Sequence, residues 1–133
     1  MTARAKNGVF VTGMAAALVA LATALLPMLA SSNETVREIE IVARGMAFYV
    51  NDGTDPNPAI IFRAGERVRV RVRNQDPGMR HDFVIKAWTV STRLLEDRGE
   101  EDVIEFRVPA ERGTQDYTCT PHAKMMSGTI RVE

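Results

Sequence analysis

At 133 residues the chain holds one domain and a short appendage, too little for two independent cores. Its 17 basic and 17 acidic residues cancel, so no nucleic-acid surface is written into its charge balance. With a single cysteine, no disulfide can form within the chain.

Arg4 and Lys6 precede "GVFVTGMAAALVALATALLPMLA", residues 8–30, which carry no charge. A positive start and an apolar run mark either an export signal or an N-in membrane anchor. Ala30, Ser31 and Ser32 are small residues that suit cleavage after Ser32, whereas the run is long enough to span a bilayer. Both readings export the rest of the chain to a periplasmic or other extracytoplasmic space, soluble after cleavage or attached to the membrane through residues 8–30. The expected organisation is a leader over residues 1–32 and a domain over residues 33–133. Without Arg4 and Lys6 the domain has 15 basic against 17 acidic residues, which is close to neutral.

The domain reads mostly in period two. "VREIEIVAR" (36–44) sets Ile39, Ile41 and Ala43 against Glu38 and Glu40. "ERVRVRVRN" (66–74) alternates Val68, Val70 and Val72 with Arg67, Arg69, Arg71 and Arg73. Such alternation marks strands with one wet face. The arginine row either covers an outer sheet face, partly neutralised by Glu38, Glu40 and Glu66, or forms a docking stripe for an acidic partner. Residues 81–90, 102–109, 115–120 and 127–133 are further strand candidates. Turn signals lie at 51–58, 63–66, 75–78 and 111–114. Residues 92–101 are the one place for a helical turn. Short strands at this spacing predict an all-β, antiparallel sandwich.

The only cysteine lies in "DYTCTPHAKMMSG" (116–128), at a strand end, with His122 three residues on and Met125 and Met126 beyond. Thiolate, imidazole and thioether are soft-to-borderline donors that suit copper in both oxidation states and do not suit calcium or magnesium. The other histidine, His81, opens "HDFVI" and shares a face with Phe83 and Ile85 in the alternating register. Two histidines and a cysteine with a weak methionine on the axis are the donors of a blue-copper electron-transfer centre. Met126 is in phase with Gly128, Ile130 and Val132 of the last strand, and Met125 is the alternative axial ligand.

On "RAGERVRVRVRN", "GMRHDFVI" and above all "YTCTPHAKMMSGTIRVE", the chain resembles the cupredoxins, the plastocyanin, pseudoazurin and amicyanin group, over about residues 36–133. The resemblance implies a Greek-key sandwich holding one copper ion on His81, Cys119, His122 and Met126 or Met125. Counted from His122, Met125 matches the short loop of amicyanin. The chain departs from the family pattern at Asp82, where asparagine is usual, and at Arg80, where proline is common. Asp82 still accepts a hydrogen bond from Thr120, and its charge favours Cu(II).

The resemblance further implies a monomeric carrier of single electrons that meets a redox partner protein near His122, under an apolar patch of Pro121, Ala123 and Met125. No nucleophile–base pair stands apart from these ligands, so catalysis is not expected. A copper delivery or sensor protein, and a non-blue site with an open copper position, are the alternatives.

Overall fold

The structure, a computed structural model, describes residues 34–133. The leader expected over residues 1–32 lies outside the described residues. Among those described, no helix is long and apolar enough to cross a membrane.

The described residues form nine strands, β1 (Val36–Arg44), β2 (Ala47–Val50), β3 (Ile60–Phe62), β4 (Arg67–Asn74), β5 (Val84–Ile85), β6 (Val90–Ser91), β7 (Glu101–Arg107), β8 (Gly113–Thr118) and β9 (Ser127–Val132). They form two sheets, ordered β2-β1-β4-β7 and β3-β9-β8-β5-β6. The all-β sandwich read from the sequence stands. Two pairings within it are parallel, β1 with β4 and β3 with β9, so the sheets are mixed.

Alternation places the core. Ile39, Ile41 and Ala43 of β1 and Val68, Val70 and Val72 of β4 turn inward and are buried, facing Phe83, Ile85, Tyr117, Ile130 and Val132 of the other sheet. Phe48, Phe83 and Tyr117 meet at ring-centroid distances of 5.3–5.8 Å. At the end remote from the ligand loop, Phe62, Trp88 and Phe106 pack together, which makes Trp88 a packing residue.

The arginines of β4 turn outward into a ladder of ion pairs. Arg69 bonds Glu38 at 2.8 Å and Glu105 at 2.9 Å, Arg71 bonds Glu101 at 2.8 Å, Arg73 bonds Glu40 at 2.9 Å, and Arg67 bonds Glu105. The row is thus the covered outer face of a sheet. Glu66 serves Arg37 instead, and β7 supplies the glutamates that alternation had not assigned.

Three expectations need correction. The strand expected over 81–90 is a fold-back: Lys86–Trp88 forms a 3-10 turn, and Thr89, at φ +54°, reverses the chain into β6. Residues 92–101 hold no helical turn, because Leu95 bridges to His81 in extended conformation. β2 and β3 fall outside every expected strand, since three or four apolar residues carry no readable period.

Candidate metal centre

His81 and Cys119 come from opposite sides of one strand pair. Val84 of β5 and Thr118 of β8 are partners in the sheet, so the residues just outside that pairing meet at its end. Beneath them, Phe83 stands two residues from His81 and Tyr117 two from Cys119, and Phe48 packs edge-on to both rings. Tyr117 also donates to the Pro58 carbonyl at 2.7 Å, and its ring lies against Gly128, where any side chain would collide with it.

The loop from Cys119 to Met126 is a tight hydrogen-bonded turn. Cys119 N–H donates to the Met126 carbonyl at 2.9 Å, and the N–H groups of Met125 and Met126 both donate to the His122 carbonyl at 2.9 Å. Asn57 braces it from outside: its side-chain amide donates to the Met125 carbonyl and accepts from the Phe48 N–H, both at 2.9 Å. The segment that read only as a turn signal therefore also straps the loop.

The ring nitrogens Nδ1 of His81 and Nδ1 of His122 each lie 3.7 Å from Cys119 Sγ, and the three donor atoms lie within 4.8 Å of one another. Bonds of about 2.0 Å to nitrogen and about 2.3 Å to sulfur, set at 120° around one ion, put those atoms about 3.7 Å apart. Both sulfur–nitrogen distances thus fit a single trigonal ion. His81 and Cys119 are fully buried and His122 is partly buried.

The methionines separate cleanly. Met126 is fully buried, in phase with Ile130 and Val132, whereas Met125 is 57 % exposed. Pro121, Ala123 and Lys124 are exposed alongside it.

Burial favours the neutral forms of both buried donors. Burial pushes the His81 ring below its ordinary pKa, against the pull of the Asp76 carboxylate. Burial likewise raises the Cys119 thiol, although the backbone N–H groups of Asp82 and His122 act the other way. A thiol so held keeps its proton until a metal displaces it. Asp82 accepts from the Thr120 N–H at 2.5 Å, joining the two ligand segments in the manner expected of it.

The sequence reading missed Asp76. His81 presents Nε2 to Asp76 Oδ2 at 3.0 Å, so Nε2 carries the proton and Nδ1 keeps its lone pair toward the sulfur. The same carboxylate accepts from the N–H groups of Gly45 at 2.8 Å and Met46 at 3.3 Å. Burial opposes its ionisation, but these three donors outweigh that and hold it below the usual carboxylate range. Its position five residues before a ligand histidine was the one available signal, and "QDPG" reads as an ordinary turn.

The family model for copper binding proteins of the plastocyanin/azurin family matches residues 72–133, a span containing His81, Cys119, His122 and both methionines. Residues 72–133 carry that family's pattern, and the domain has the cupredoxin fold. Its metal is copper, one ion at the three-residue cluster. Among solved structures, this domain is similar to auracyanin A, a blue copper protein of Chloroflexus aurantiacus, with a TM-score of 0.59 and 21% identity over 74% of this chain and 100% of that one. It is similar to rusticyanin of Thiobacillus ferrooxidans, with a TM-score of 0.58 and 20% identity over 77% and 79%. It is also similar to a chain in a heme-copper terminal oxidase dimer, with a TM-score of 0.60 and 18% identity over 92% and 97%. No curated protein matches it at the sequence level.

Proposed function

We propose that this domain is an exported electron carrier, with His81, Cys119, His122 and Met126 as the residues that would hold its copper. The observation that carries the reading is the meeting of two imidazole nitrogens and one thiol sulfur at 3.7 Å, at the buried end of the sandwich. Copper held there would supply a one-electron couple between a reduced and an oxidised redox protein, with no bond made or broken in the protein. The chain's own contribution is to hold the donors still. The aromatic trio beneath, the Asn57 strap and the Asp82–Thr120 bond limit how far the ligands move between oxidation states.

The test is titration of the purified protein with Cu(II), monitored by visible absorption. An intense thiolate-to-copper band saturating at one equivalent is the expected result. A folded protein without that band would sink the electron-carrier reading and favour a copper delivery protein. Burial of Met126 favours the blue site over one with an open copper position.

The partner meets the protein at Pro121, Ala123 and Met125, which are exposed around the partly buried His122. Ala123→Glu puts a charge in that contact and slows electron exchange with a partner, leaving the copper spectrum unchanged. An unaltered rate places the docking surface elsewhere.

Residues 1–32 direct the domain out of the cytoplasm. Recovery of the copper protein with periplasmic or membrane fractions is expected, and recovery with the cytoplasmic fraction overturns export.

A further inference from the structure

We propose that Asp76 is a positioning residue of the copper centre: its carboxylate fixes His81 with Nδ1 facing the metal and lowers the reduction potential by stabilising Cu(II) over Cu(I). The inference rests on the copper reading above and adds a residue outside the ligand set.

Asp76 is built into place. Gly45 and Met46 both have positive φ, +56° and +62°, forming a two-residue turn whose N–H groups converge on its carboxylate. A methionine is strained in that conformation, and the hydrogen bond to Asp76 helps hold it there. From the other side, Asn74 accepts the Asp76 N–H at 2.9 Å while its own amide donates to the Met79 carbonyl at 2.6 Å and the Leu95 carbonyl at 3.3 Å. The segment between β4 and His81 is therefore pinned at both ends, and the charge cannot swing away from the ring.

The chemistry is set by the individual atoms. Oδ1 serves Gly45, and Oδ2 serves Met46 and His81. A carboxylate on the far nitrogen fixes the tautomer and raises the basicity of the near one, which strengthens donation to the metal. The doubly charged ion gains more than the singly charged one from a nearby fixed negative charge, because the attraction scales with the product of charges. An asparagine side chain cannot reproduce this. It has one oxygen for two acceptor positions, so either the turn or His81 meets an N–H donor instead.

Asp97 is the natural control. Its carboxylate accepts from Gly78 N–H at 2.7 Å, in the same pinned segment, and has no contact with His81. The experiment is redox titration of the visible band in full-length wild type, Asp76→Asn, Asp76→Glu and Asp97→Asn, with Cu(II) and Cu(I) affinities measured by chelator competition. Asp76→Asn is expected to lose about tenfold or more in Cu(II) affinity. Its Cu(II)/Cu(I) affinity ratio falls about tenfold, a rise of about 59 mV in potential. Asp97→Asn and Asp76→Glu are expected to shift far less.

A change in Asp76→Asn no larger than in Asp97→Asn, or an equal loss for both oxidation states, overturns the proposal. If Asp76→Asn does not fold, nuclear magnetic resonance of the wild-type Cu(I) form decides. His81 Nε2–H should then exchange with water far more slowly than the corresponding proton of His122, and equal exchange overturns the proposal. A wild type with no blue band fails the copper reading, whereas a normal band with an unmoved potential fails only the assignment of Asp76.

Discussion

Cys119→Ser abolishes the blue band and weakens copper binding by more than a hundredfold. The band needs a thiolate, and a serine hydroxyl does not ionise at neutral pH. Loss of a partner behind a ligand costs ten- to a hundredfold in affinity, so loss of a ligand exceeds that. The fold itself survives, because the substitution changes one small buried atom at a cost of about 1–3 kcal/mol for the desolvated hydroxyl. The methionines then divide by burial. Met126→Leu keeps the volume and the band but raises the potential, since removing a donor destabilises the more highly charged ion. Met125→Leu leaves both unchanged, as its side chain is 57 % exposed. Absorption and redox titration of the three variants check this. An effect at Met125 with none at Met126 would exchange their roles.

Phe48→Ala has the largest expected effect on the fold. The ring packs edge-on to Phe83 at 5.6 Å and Tyr117 at 5.8 Å, beneath the two strands that deliver His81 and Cys119. Emptying such a site costs about 3–5 kcal/mol, a large part of the 5–15 kcal/mol that holds a domain of this size. For about a hundred residues that lowers the melting temperature by roughly 15 °C or more. The cavity also loosens the ligands, so the copper-loaded variant should release metal to a chelator faster. Val103→Ala, at a site 42 % exposed on β7, is the comparison and should stay within about 0.5 kcal/mol of wild type. Equal melting of the two variants would mean that the trio does not carry the end of the sandwich that bears the ligands.

The parts of the fold legible in the sequence are those where one face is wet. β1 and β4 alternate strictly over eight or nine residues, and their bounds came through to within a residue. β2 and β3 are too short to show a period. The reversal at Thr89 uses no glycine or proline, so the hairpin of β5 and β6 looked like one continuous strand. Parallel pairing is set by contacts remote in sequence, which no local pattern encodes. The site was legible for a different reason, scarcity: with one cysteine and two histidines, few combinations exist. Strand register points Met126 inward, and Met126 is buried. Asp76 and Asn57 could not emerge that way. Aspartate and asparagine are ordinary in turns, and only the folded chain shows one turn reaching His81 and the other reaching the ligand loop.

The ladder on β4 bears on how the proposed carrier would meet its partners. Each of its four arginines has a glutamate on β1 or β7 within ion-pair distance, so the charges close on themselves across the face. Beyond about 10 Å, paired opposite charges in salt solution exert little net pull. A partner colliding with this flank is therefore neither drawn in nor retained, and it diffuses away. Carriers turn over through brief encounters, and time spent on an unproductive flank is time lost to exchange. By cancelling its own field there, the sheet offers no charged surface to compete with the docking proposed at the loop around His122.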